Sequence, residues 1–219
     1  MYQKGKKKDN KVKVWDLSLR LFHFILIFLI IGSYVSAKFD MLNIHQYFGV
    51  SLLGLIFFRI LWGFIGTNYS RFASFNISLK GALTQFSKES QNISIRTPLG
   101  SFSTLSFIIV LLVLSISGLF SSDDVLYDAP LAYLVPRYVY FWTDIHNLFH
   151  FILYFLVGIH ILAINYYQVI KKHKIIERMV DGYTRINKTS VTPINEKPIK
   201  GVLLIFIFIL TPILILSSF

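Results

Sequence analysis

The sequence predicts an all-α integral membrane protein: a four-helix transmembrane bundle with one extra transmembrane helix at its C-terminal end. Three observations carry this. Of the 219 residues 54% are hydrophobic, 21 are Phe and mean hydropathy is +0.60, far more apolar than a soluble domain of this size. Five apolar runs are long enough to cross a bilayer, which takes about 20 helical residues. Lys and Arg, finally, gather on alternate loops.

In chain order, residues 1–18 form a basic head rich in lysine. The first run, Leu19 to Ala37, ends in "VSA", so a cleaved signal sequence is its rival reading. Its length and the interruption by His23 favour a span. The second run is His45 to Ile65; a polar loop from Thr67 to Pro98 leads to the third, Leu99 to Ser121. An acidic turn with Asp123, Asp124 and Asp128 precedes the fourth, Trp142 to Tyr167. Residues 183–200 read as a polar linker, and 201–219 as the extra helix, with no ionisable group and a Thr211-Pro212 step that can kink it.

Charge orients these spans. With the N-terminus inside, nineteen Lys and Arg lie on the cytoplasmic side, in the head, the Thr67 to Pro98 loop and the stretch from Lys171 to Lys200. Only Lys38 and Arg137 lie outside. This predicts a cytoplasmic N-terminus, a periplasmic C-terminus and an outward acidic turn. The net charge of +11 is therefore topology, not a nucleic-acid footprint. Zero cysteines exclude disulfides, thiolate-held iron-sulfur clusters and covalent attachment of a c-type haem.

Histidine is expensive inside a membrane, yet "DIHNLFHFILYFLVGIH", Asp144 to His160, carries three. His146 lies near the outer end of its span, and His160 follows fourteen residues later, roughly 21 Å deeper and offset by only about 40° around the helix. His45 opens the second span at the outer face, and His23 sits about one turn into the first at the inner face. Depths thus match in pairs, His45 with His146 and His23 with His160. Two such pairs, each drawn from two helices, suit two haems with axial imidazoles on both faces of each iron. A low-spin, six-coordinate iron of this kind carries electrons and leaves no position for oxygen.

Simpler readings compete. A single intramembrane histidine can be a hydrogen-bonding link between helices. His146 and His150 stand at i, i+4, a spacing that can chelate zinc, but no glutamate lies between them and no carboxylate lies inside the spans except Asp144 at an end. His150 reads as a neighbour of the ligands or a core residue, and His173 in "KKHK" as an exposed interfacial one. Arg59 reaches the depth of the inner pair, where an unpaired guanidinium is costly and a haem propionate would neutralise it. Arg20 and Arg137 are equally matched between that role and snorkelling to lipid phosphates.

The runs "VWDLSLRLFHF" (Val14 to Phe24), "FRILWGFIGTNYSRFASF" (Phe58 to Phe75), "PLGSFSTLSF" (Pro98 to Phe107), "SGLFSSDD" (Ser117 to Asp124) and "IHNLFHFILYFLVGIHILAI" (Ile145 to Ile164) follow one another in order. Together they resemble the prokaryotic cytochrome b561 family, in particular the b-type cytochrome subunits associated with nickel-iron hydrogenases. The likeness runs over residues 12–182. It implies a four-helix domain with two haem b groups, whose ligands fall on His23, His45, His146 and His160. It also implies electron exchange between a membrane quinone pool and a redox partner: a c-type cytochrome, a hydrogenase or another dehydrogenase. The expected location is the bacterial inner membrane.

Two departures stand out: Ser18 replaces a usual proline in "DLSLR", and the fifth span lies beyond the four-helix core. Trp15, Asp16 and Arg20 could build an inner quinone site, and the outer acidic turn with Tyr127 and Arg137 a partner-docking surface. Other function classes are a self-sufficient superoxide:quinone oxidoreductase and a non-redox scaffold or metal-binding protein. The outer loops, with more acidic than basic residues, argue mildly against attracting an anion such as superoxide.

Overall fold

The computed structural model describes residues 11–85, 95–123, 125, 127–185, 192, 194–196 and 198–217. Most of the basic head, with Lys4, Lys6, Lys7 and Lys8, lies outside the described residues, as do Lys88, Asp124, Lys188 and Lys197.

Five helices are long and apolar enough to span a membrane. The first, α1 (Leu17–Lys38), starts at Asp16, whose side chain accepts the Leu19 amide at 2.7 Å and so caps the free N–H groups of the first turn. After a tight turn in which Asp40 adopts φ 55°, α2 (Leu42–Ile65) returns antiparallel and packs along α1. A short helix, α3 (Leu79–Thr84), lies in the following loop. Thr97 caps α4 (Pro98–Gly118), with Pro98 in the first turn, where a missing N–H costs nothing. The long α5 (Val139–Asn165) continues through one π-helical turn, Tyr166–Ile170. Then come α6 (Ile175–Asp181), closed by Gly182 at φ 83°, and α7 (Pro198–Leu216).

Two details depart from the sequence boundaries. Residues of the basic head and of the presumed linker pair as an antiparallel ribbon, β1 (Lys11–Lys13) with β2 (Tyr183–Arg185), and α7 begins at Pro198 rather than Gly201. Glu196, also in the linker, forms an ion pair with Lys13 at 2.6 Å and accepts the Leu17 amide at 2.8 Å. The linker is thereby tied to the start of α1.

The core centres on α2, where Leu55, Ile56 and Phe58 are fully buried; it packs against α1, α4 and α7. Most other large apolar side chains point outward, among them Phe28, Phe64, Phe155 and Leu162. In water such a surface would aggregate; in hydrocarbon it costs nothing. The protein is an all-α, multi-pass membrane protein. Its α5 packs along α4 and stands off from α1 and α2. That gap is where the histidines meet.

Candidate functional site

His45 lies in the first turn of α2 and His146 in the second turn of α5. Their ring centroids are 6.1 Å apart, with ring planes nearly perpendicular at 88°. Each imidazole is held from behind. His45 Nδ1 donates to the Ser33 carbonyl of α1 at 2.8 Å, and His146 Nδ1 donates to the Leu114 carbonyl of α4 at 2.9 Å. A carbonyl only accepts, so the proton sits on Nδ1 and each Nε2 keeps its lone pair. Among the described residues neither Nε2 has a hydrogen-bond partner.

Glycine shapes this site at two positions. A Cβ on Gly118 would come within 2.9 Å of His146 Cε1 and 3.0 Å of its Nδ1, so only glycine leaves room for the ring where it sits. Gly49, one turn along α2 from His45, faces open space: nothing lies within 4 Å of where its Cβ would be. An open position beside a histidine is what a planar ligand approaching a helix backbone requires.

The second pair lies at the other end of the bundle. It comprises His23 of α1 and His160 of α5. The edge of Phe107 packs 5.4 Å from the His160 ring, and Ser103 Oγ lies 3.5 Å from its Nδ1. Of the two pairs matched by depth, the structure brings the His45 and His146 rings together. His150 joins neither; its ring packs against Phe151 at 4.5 Å and Tyr154 at 4.3 Å. His173 stacks on Tyr167 at 6.2 Å beyond the spans. Among the described residues no three His, Asp or Glu side chains gather as a metal site would need.

Arg59, on α2 at the level of the inner pair, is 1% exposed. Both terminal guanidinium nitrogens are buried without a hydrogen-bond acceptor among the described residues, and the group lies 5.2 Å from the Phe72 ring. Asp16 is near enough to act on it electrostatically, but the carboxylate is already engaged. It accepts from the Leu19 amide, Thr67 Oγ1, Ser70 Oγ and Trp62 Nε1. Asp16 is therefore a knot joining α1, the end of α2 and the next loop. Arg20 donates to the Val180 carbonyl and so joins α1 to α6.

At the opposite end Arg137 is exposed in the turn before α5. Tyr127, read from sequence as a docking residue, donates its hydroxyl to Gln46 and is half-buried, which pushes its pKa up to about 12. One residue escaped the sequence reading. Arg96, counted there only as loop charge, lies 4.5 Å from the rings of both Trp15 and Phe75 and donates to the Tyr69 carbonyl. Burial, then the neighbouring Arg59, pulls its pKa down to about 9. The signal was aromatic residues in the motifs on either side, "VWDLSLR" and "SRFASF".

Fold and site together define a helical membrane protein in which His45 and His146, from two different spans, face each other. The chain belongs to the prokaryotic cytochrome b561 family, whose model matches residues 14–182 and so takes in α1 to α6 but not α7. The family comprises membrane b-type cytochromes that transfer electrons. No curated protein and no solved structure matches the chain.

Proposed function

We propose that this chain holds two haem b groups, one between His45 and His146 and one between His23 and His160, and carries electrons across the inner membrane between the quinone pool and a redox protein at the outer face. The observation that carries the reading is the outer pair. Two imidazoles with free Nε2 lone pairs stand 6.1 Å apart, and a metal bound by two nitrogens at about 2 Å each puts opposed ring centroids roughly 6 Å apart. Backbone carbonyls behind ligating histidines fix their tautomer and raise their basicity.

When bound, haem b would supply a one-electron redox centre, and His23, His45, His146 and His160 are the residues that would hold it. The chain's own residues supply the rest. Gly49 leaves clearance beside His45, and Gly118 lets His146 reach its carbonyl. Arg59 offers a buried positive charge with unfilled donors, which suits a haem propionate at the inner end. Arg20, bonded to the Val180 carbonyl, acts here as a brace between α1 and α6.

The test is haem quantitation by pyridine haemochromogen, with reduced-minus-oxidised spectra, on the purified chain and on His45→Ala and His160→Ala. Two haem b per chain, with one lost in each variant, is the expected result. Folded protein without stoichiometric haem would return the histidines to helix packing or metal binding.

A further inference from the structure

Helix α5 has two faces. His146 meets His45 and His160 packs against Phe107 of α4, whereas Leu148, Phe151, Phe155 and Leu162 are exposed and recur at three-, four- and seven-residue intervals. Phe155 follows His146 by nine residues, which puts the two on opposite sides of the helix. In a multi-pass membrane protein this exposed stripe faces lipid.

Toward the start of α5 the stripe changes chemistry. Asp144 lies four residues before Leu148 and seven before Phe151, so it belongs to the same outward face; it is exposed, as is Asn147. Asp144 has no ion-pair partner among the described residues. A lone carboxylate turned outward is expensive in hydrocarbon, so the hydrocarbon stops short of it. From Leu148 to Ile170 the helix still offers 23 residues, enough for a layer that takes about 20.

The turn between α1 and α2 marks the same level. It exposes Lys38 and Asp40, and His45 follows Asp40 by only five residues, as His146 follows Asp144 by two. Two separate elements thus set charge beside the two rings of this pair.

Beyond that level the outward face of α5 continues. Tyr140 and Phe141, four and three residues before Asp144, are both exposed. Arg137, in the preceding turn, is exposed and has no ion-pair partner among the described residues. These rings flank the lipid-facing stripe rather than crown the end of the bundle, so their neighbours at this level are lipid headgroups. Amphipathic aromatic rings and a cation are the side chains that such a layer favours.

We propose that residues 137–147 lie in the lipid headgroup layer, with Arg137 at the phosphates and Tyr140 and Phe141 at the interface. Hydrocarbon then begins at Leu148, and the His45–His146 pair stands at the membrane surface, within reach of a water-soluble protein. The sequence reading, which opened this span at Trp142, had placed the boundary higher. This placement does not depend on what the histidines hold.

Depth measurement tests it, and a chain without cysteine suits the purpose. Full-length Phe141→Cys, Leu148→Cys and Phe155→Cys carry a nitroxide in palmitoyl-oleoyl phosphatidylcholine nanodiscs. Collision with oxygen, which concentrates in hydrocarbon, is compared with collision with a water-soluble nickel chelate. The oxygen-to-nickel ratio is expected to fall from Phe155 to Leu148 to Phe141, and at Phe141 to match phosphatidylcholine labelled on its headgroup. A ratio at Phe141 as high as at Phe155 puts this turn in hydrocarbon, and one equal to that of free nitroxide in water puts it in solvent. Either result overturns the proposal. Should Phe141→Cys fold poorly, Tyr140→Cys reads the same face one residue away.

Discussion

A single methyl group separates a held imidazole from a displaced one. In Gly118→Ala the new Cβ lies 2.9 Å from His146 Cε1 and 3.0 Å from its Nδ1, closer than carbon atoms pack without repulsion. The ring must turn, and its bond to the Leu114 carbonyl breaks. Loss of such a supporting contact typically costs about 10–100-fold in metal affinity. With two haems bound as proposed, the variant is therefore expected to keep one firmly and lose the other on dilution, measured as the haem-to-protein ratio after gel filtration; an unchanged ratio of two would show that this contact is dispensable. The meeting of His45 with His146 was legible because depth in a membrane follows from residue number. The carbonyls of Ser33 and Leu114 were not, because backbone acceptors become available only where side-chain packing turns them toward a ring. Arg59 was read as a costly charge at membrane depth and is buried, whereas Asp16, read with Trp15 and Arg20 as a candidate inner quinone site, accepts from four donors of the protein itself. Only the three-dimensional meeting of Thr67, Ser70 and Trp62 shows that.

Helix α7 illustrates what an element can hide in a run of plain hydrophobicity. Pro212 has no N–H, so the Phe208 carbonyl four residues earlier loses its helical donor. That carbonyl faces α2 at Gly54, where a Cβ would lie 1.9 Å from its oxygen. The close approach lets Cα–H groups of α2 face the carbonyl, as small residues do between membrane helices. At the other end of α7, Gly201 lies against Ser18, the residue that replaces the family's usual proline; a Cβ there would sit 1.9 Å from Ser18 Oγ. The sequence reading noted Ser18, Pro212 and the fifth span as separate departures, and packing makes them one interface. Gly54→Ala is accordingly expected to force α2 and α7 apart and to destabilise the protein by about 1–3 kcal/mol, the usual cost of overpacking. Thermal unfolding in detergent, against the unsubstituted protein, measures it. Equal melting temperatures would mean that α7 is loosely attached. The β1–β2 ribbon, by contrast, was illegible: three-residue strands carry no periodicity, and their pairing depends on α6 returning the chain to the start of α1.

At the scale of the whole molecule the charge asymmetry sets how the chain lies in its membrane. Spans were the most legible feature, because hydrocarbon tolerates only helices with satisfied backbones and apolar surfaces; helix ends moved by a few residues, as caps such as Asp16 and Thr97 dictate. Orientation follows from a different force, the bias that keeps Lys and Arg on the cytoplasmic side. With nineteen basic residues on one side against Lys38 and Arg137 on the other, the loop carrying α3 is expected inside and the turn before α5 outside. The chain has no cysteine, so one introduced thiol reports one site without background. Lys80 and Arg137 are both exposed and at opposite ends of the bundle. Arg137→Cys should react with a membrane-impermeant maleimide in intact spheroplasts, and Lys80→Cys only after permeabilisation. The reverse pattern would place the His45–His146 pair at the cytoplasmic face, and with it the end of the molecule available to an outer redox partner would become the His23–His160 end, where Asp16, Arg59 and Arg96 lie. The labelling therefore decides which histidine pair faces the partner.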